Sequence, residues 1–210
     1  MMLSSMWEQV QEIDVSRNLI SQIDALNQFR NLRILRASEN YIVDVSLTQP
    51  RLEALYLEDN QIRRFPQLSN LHKIRVVNLS NNRLEEFKAE FKAPSCNSLV
   101  ELDISHNAID YATDSEFFEQ FLDRIKKAKN LKVLWLQGNP FIAKDRRLEK
   151  VVAQLQVLEL LNGEPASNFK RAVAQAEETK QQSTVAPPKP LPQMPGKGVS
   201  GGKKSKMDKK

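Results

Sequence analysis

The chain has 210 residues, 40% apolar and 27% charged, which allows one ordinary domain with appendages and enough apolar side chains for a core. Its formal net charge of +5 belongs to one segment: residues 168–210 hold ten Lys/Arg against three Asp/Glu, and residues 1–167 hold 21 against 23, so a basic groove for nucleic acid is not expected in the body. A lone cysteine, Cys96, excludes an internal disulfide framework and suits a reducing compartment, and no stretch approaches the roughly 20 apolar residues of a membrane span.

In chain order, the opening MMLSSMWEQVQEID lacks a basic segment followed by an apolar run, so no secretory signal is expected. From Val10 the chain enters an eleven-residue pattern, apolar-x-x-apolar-x-apolar-x-x-Asn-x-apolar. It reads VQEIDVSRNLI from Val10, LRILRASENYI from Leu32 and LEALYLEDNQI from Leu52, then IRVVNLSNNRL from Ile74, LVELDISHNAI from Leu99 and LKVLWLQGNPF from Leu131. The ninth position is always asparagine: Asn18, Asn40, Asn60, Asn82, Asn107 and Asn139. Positions four and six flank one residue, so a short strand turns both toward a core. The asparagine follows where the chain bends away; its amide donates and accepts, satisfying backbone groups that a buried turn would otherwise orphan. No repeat buries its own apolar side, so neighbours must stack with their strands in one parallel sheet.

The asparagines are separated by 22, 20, 22, 25 and 32 residues. The returns between motifs carry Ile23, Leu26 and Phe29, then Phe65, Leu68 and Leu71, at helix-like intervals that predict short helical turns. Pro50, Pro66 and Pro94 fall in these returns, where a missing N–H does little harm. The longest interval, DSEFFEQFLDRIKKAKN, predicts an amphipathic helix over 114–129 with Asp114 or Ser115 as N-cap. After Asn139-Pro140 the pattern changes: Leu148, Val151, Val152 and Leu155 form an apolar helical face, and Val157, Leu158 and Leu160 lead to a turn at Asn162-Gly163. A stacked solenoid exposes an apolar end that needs such a cap. Residues 168–182 are rich in Ala, Glu, Gln and Lys and suit a helical extension. Residues 183–210 hold Pro, Gly, Ser and Lys with almost no large apolar residue, too few to offset ordering entropy, so a disordered tail is expected.

The repeats resemble the leucine-rich repeat family over about residues 10–165. That resemblance implies an α/β fold: a right-handed solenoid of about six repeats, with the parallel sheet on its concave face and short helices on its convex face. The domain would span 1–167, with a C-terminal cap at about 141–167. The cap resembles that of a short cytosolic branch of the family. This branch includes a regulatory subunit of protein phosphatase one, the axonemal dynein light chain with leucine-rich repeats, and the spliceosomal A-prime protein. Membership would imply a cytoplasmic adaptor, here in a cytoskeletal or ciliary complex. The alternatives are a phosphatase regulatory subunit, or a ribonucleoprotein scaffold with a nuclear location.

In such a fold the residues beside the core-facing strand positions point to the concave face. They include Asp14, Ile34, Arg36, Tyr56, Glu58, Val76, Asn78, Asp103, Val133 and Trp135, expected to bind a partner protein. Ile34, Ala54 and Val76 put apolar groups in consecutive repeats beside Tyr56, and contiguous apolar area with aromatics marks binding sites. A second reading of Ala54 and Val76 is plain packing across the sheet. The acidic pairs Glu12/Asp14 and Glu101/Asp103 have no substrate pocket indicated near them and read as a solvated sheet edge. His72 and His106 lack metal-site spacing, and His106, just before Asn107, suits a turn. Cys96 has no histidine nearby in sequence, and no phosphate-binding glycine loop or nucleophile elbow is present. No enzyme, metal, cofactor or small-molecule substrate is expected. In the tail, Lys189, Pro192 and Pro195 fit either a polyproline ligand or a tether. Lys203, Lys204, Lys206, Lys209 and Lys210 suit either solubilisation or contact with an acidic polymer such as tubulin.

Overall fold

The computed structural model describes residues 6–68, 70–85, 97–110, 123, 125–143 and 152–184. Outside these fall Cys96, most of the expected 114–129 helix, Leu148 and Val151 of the expected cap, the Pro-rich motif and the five tail lysines.

Positions three to five of each motif form a three-residue strand: β1 (Glu12–Asp14), β2 (Ile34–Arg36), β3 (Ala54–Tyr56), β4 (Val76–Asn78), β5 (Glu101–Asp103) and β6 (Val133–Trp135). They pair in parallel and in chain order, each position opposite the same position of the next repeat. The hydrogen-bond ladder outruns the strands on both sides. At position two, Glu53, Arg75, Val100, Lys132 and Glu159 each donate an N–H to the same position one turn earlier. At position eight, Arg17, Glu39, Asp59, Asn81 and His106 donate to position seven of the next turn.

The core is a column along this sheet. Leu35, Leu55, Val77, Leu102 and Leu134 at position four are fully buried, as are Ala37, Leu57, Leu79, Ile104 and Leu136 at position six. Each interior asparagine ties its repeat to the one before. Asn60 Nδ2 donates to the carbonyls of Leu57 and Ala37 (both 3.0 Å), and its Oδ1 accepts from Ile42 N–H (3.0 Å). Asn40, Asn82, Asn107 and Asn139 repeat this pattern and are likewise buried. Asn18, in the first described repeat, is exposed and among the described residues its amide bonds to the Val15 and Ser16 carbonyls.

The returns depart from the expected helical turns. The first contains a 3-10 helix, Asp24–Gln28, but 41–49 and 61–68 hold no helix. Phe65 is buried from extended chain, while Leu68 and Leu71 are buried at turns closed by the Leu71 N–H to the Leu68 carbonyl (2.9 Å) and the Ile74 N–H to the Leu71 carbonyl (3.1 Å). Val43 and Val45 disfavour helix through their branched Cβ, and Pro66 holds Phe65 in extended backbone. Of the 114–129 helix, the described residues 123 and 125–127 are helical, and Ile125 and Ala128 are buried.

At the C-terminal end β7 (Leu160–Leu161) pairs in parallel with β6, and β8 (Glu164–Pro165) returns antiparallel to β7. The two-residue link has Asn162 at φ 51° and Gly163 at φ 81°, two positive values, as a type I′ hairpin requires. Asn162 Oδ1 accepts from the N–H groups of Leu136 (2.7 Å) and Gln137 (3.2 Å), docking the hairpin onto the preceding repeat. Helix α1 (Ala166–Thr184) follows; Ala166 is buried and Phe169 packs against the core. At the other end Trp7 stacks against Phe29 with ring centroids 5.7 Å apart.

Candidate functional site

The face of the sheet turned away from the core carries the residues singled out from sequence. Ile34, Arg36, Tyr56, Glu58, Val76, Asn78, Asp103, Val133 and Trp135 are half-buried there, and Asp14 is exposed. Strand register sets Ile34, Ala54 and Val76 side by side. Ala54 is covered by its neighbours, at 8% exposure, so the packing account holds for it and it offers little to a partner.

Arg36 and Tyr56 are paired in register across β2 and β3. The guanidinium carbon lies 5.3 Å from the Tyr56 ring centroid while the same group binds Glu12. The cation is thus held over an aromatic face, a contact worth about 0.5–1 kcal/mol at an exposed site. Next to this pair, at position seven, stands Glu58, where four other repeats carry serine. Its Oε2 is buried and has no hydrogen-bond partner among the described residues. A desolvated acceptor of that kind is destabilising until something donates to it.

Three other candidates are already engaged locally. Asp14 Oδ1 accepts Ser16 N–H (2.9 Å), Asn78 Oδ1 accepts Ser80 N–H (3.0 Å) and Asp103 Oδ1 accepts Ser105 N–H (2.8 Å). The Ser80 and Ser105 hydroxyls donate to the same oxygens. These side chains set the turn that leaves each strand. The backbone N–H of Ser16, then its hydroxyl, holds the Asp14 carboxyl below the usual aspartate range.

Trp135 has an internal role that sequence did not reveal. A Cβ on Gly163 would lie 3.0 Å from its ring, so the indole rests on the hairpin turn and only its remaining surface is available. Gly163 is required there by its positive φ and by that ring.

A second feature was missed at the sequence level. Where the strands begin, an open trough of about 820 Å³ is lined by Arg33, Glu53, Lys73, Arg75, Lys129 and Lys132, among others. These occupy position two or the two residues before each motif, which lie outside the strand positions that face away from the core. The body's overall charge of −2 conceals a local excess of cations. Among the described residues no group of three His, Cys, Asp or Glu could hold a metal ion, and no helix is long and apolar enough to cross a membrane.

Residues 50–92 match the family model for leucine rich repeats, in two copies. The chain is 32% identical over 104 residues to a dynein axonemal assembly factor 1 homolog of Drosophila melanogaster, covering 49% of this chain and 6% of that protein. It is 27% identical over 149 residues to a protein phosphatase 1 regulatory inhibitor subunit PPP1R7 homolog of Arabidopsis thaliana, covering 61% of this chain and 44% of that one. A probable inactive serine/threonine-protein kinase of Dictyostelium discoideum is 26% identical over 155 residues, which is 8% of its length. The chain therefore spans less than half of each of these relatives. Among solved structures, an internalin from Listeria monocytogenes superposes with a TM-score of 0.60 at 19% identity, over 76% of this chain and 43% of that one. The functional domain of InlJ from the same organism gives 0.54 at 20% identity, over 74% and 30%. These likenesses bear on the fold alone.

Proposed function

We propose that this chain, a parallel-sheet solenoid whose residues 50–92 match the leucine rich repeat model, is a non-catalytic adaptor that holds a partner protein on the outer face of its sheet. The observation that carries this reading is the cluster at β2–β4: a tyrosine ring under a fixed guanidinium, beside a carboxylate oxygen that is desolvated and unpartnered. Tyrosine and arginine dominate binding energy at protein interfaces. An unmet acceptor on a binding face is the kind of stability sacrifice that a partner's donor would redeem. The partner therefore presents a basic or hydrogen-bond-donating group to Glu58 and an apolar surface to Tyr56, Ile34 and Val76.

The setting we propose is a cytoplasmic cytoskeletal or ciliary complex, supported by the likeness to a protein named as a dynein axonemal assembly factor. The tail lysines would add contact with an acidic polymer such as tubulin. A second reading, regulation of a protein phosphatase, draws on the larger mutual coverage with the PPP1R7 homolog.

The test compares wild type with Tyr56→Ala and Glu58→Ser in affinity capture from the native cell at endogenous level. Glu58→Ser should be more stable by about 1 kcal/mol, since it removes the orphaned acceptor, yet should capture less partner. Tyr56→Ala should lower capture by about tenfold or more. Dynein or cytoskeletal proteins in the lost fraction support the first reading, and a phosphatase catalytic subunit supports the second. Undiminished capture by both folded variants removes this face as the site.

A further inference from the structure

The trough at the strand-entry edge is a separate surface from the sheet face, and its charges do not cancel. At position two the ladder runs Arg33, Glu53, Arg75, Val100, Lys132, Glu159, each bonded through its backbone to the next. Arg33 pairs with Glu53 at 2.9 Å and Lys132 with Glu159 at 2.7 Å. That leaves Arg75 without an acidic partner among the described residues. Lys73 and Lys129, from the turns just before β4 and β6, line the same trough and also have none there. All three are exposed. Because successive strands sit about 4.8 Å apart, the turns bearing Lys73 and Lys129 lie roughly 10 Å apart, with Arg75 at the first of them.

Three unneutralised cations along an open channel attract an anionic chain, and the rest of the lining says which kind. Among the described lining residues His72 carries the one ring, and a single imidazole gives no platform for successive bases to stack on. Val100 and Val157 supply an apolar strip, and Val157 is 43% exposed. Ser98 and Asn130 supply polar groups at backbone height. We propose that this trough docks an acidic, extended peptide segment of a partner protein, its carboxylates on Lys73, Arg75 and Lys129 and an apolar side chain against Val100 and Val157. The chain's own tail cannot be that segment: residues 185–210 hold seven lysines and one aspartate.

The experiment uses the full-length chain with its last five lysines changed to glutamine, so that the tail cannot hold the probe. A fluorescein-labelled Glu-rich peptide containing one leucine is titrated by anisotropy in low salt, alongside a labelled oligouridylate of equal charge. The peptide should bind, and binding should weaken as salt rises. Reversing charges with Lys73→Glu, Arg75→Glu and Lys129→Glu together should weaken it by at least about tenfold. Tyr56→Ala should leave it unchanged, which separates failure here from failure of the sheet-face reading. Equal binding to the triple variant overturns the proposal. So does oligouridylate binding as tight as the peptide's and lost in the same variant, which would make the trough a nucleic-acid surface. Circular dichroism of the triple variant should match wild type, since none of the three side chains is buried.

Discussion

At the scale of single residues, the most consistent feature of this protein is the residue before each asparagine. Arg17, Glu39, Asp59, Asn81, His106 and Gly138 all have φ between 53° and 76°, although only one is glycine. Left-handed backbone costs a residue with a Cβ about 1 kcal/mol. Side-chain contacts between successive turns offset part of it: Arg17 Nε donates to Glu39 Oε1 at 2.9 Å, and Asn81 Nδ2 donates to Asp59 Oδ1 at 3.0 Å. The Glu39 contact holds the Arg17 guanidinium more firmly protonated than usual. Gly138 is different because the His106 ring fills the space its Cβ would take, at 2.5 Å. Gly138→Ala should therefore destabilise by about 2 kcal/mol, from backbone strain and from displacing the ring. In a His106→Ala background the same change should cost only about 1 kcal/mol, the strain alone. Urea denaturation of the four proteins of this cycle decides the matter; an equal penalty in both backgrounds would show that the ring is not involved. Little of this was legible in sequence. Five side chains of different chemistry give no common cue, and only the turn role of His106 was read.

At the scale of elements, the strands and their register follow from the motif, because alternation and asparagine spacing state which residues face inward. The returns were harder to read. Ile23, Leu26 and Phe29 do accompany a 3-10 turn, but of Phe65, Leu68 and Leu71, spaced much the same, Phe65 is buried from extended chain and the two leucines from single turns. Spacing alone does not distinguish the two when only about ten residues connect one turn to the next and proline or branched side chains interrupt them. The asparagines divide along the same lines. Asn60 meets four backbone groups of its own and the preceding repeat, three of them buried. Asn60→Ala leaves the buried Ile42 N–H unmet and reduces the Ala37 and Leu57 carbonyls to the amides of Asn40 and Asn82, and should cost about 2–3 kcal/mol. Asn18→Ala disturbs only solvated carbonyls and should cost less than about 1 kcal/mol. Thermal melts of the two variants test this, and similar losses would mean that the motif stabilises each turn from within rather than joining neighbours. The two candidate surfaces show a parallel contrast. The sheet face was readable because positions three, five and seven are fixed by the motif. The trough was not, because position two and the turn before it carry no signature, and their charges average away over the body.

At the scale of the whole molecule, a solenoid is only as secure as its ends, since each repeat is stabilised by its neighbours. The C-terminal end is closed by a docked hairpin and by the first turn of α1. The N-terminal end has less: Val10, Ile13, Val15 and Ile20 are only partly buried, whereas the same positions in the next repeat, Leu32, Leu35, Ala37 and Ile42, are fully covered. Trp7, itself 43% exposed, is the largest described group near that edge. Opening should therefore begin at β1 and leave β3–β5 intact. Hydrogen exchange followed by NMR should find the Val15 and Arg17 amides, both bonded to the second repeat, exchanging well before those of Leu57 and Asp59 in the third. Ile13→Ala should cost about 1–2 kcal/mol against about 3–5 for Leu55→Ala, because the cavity left at the edge can fill with water and the one inside cannot. Equal protection at both sites would mean that the first repeat is covered by more of the protein than Trp7 and Phe29. In that case the edge is no place for unfolding to start, and stability would instead be lost across the repeats together.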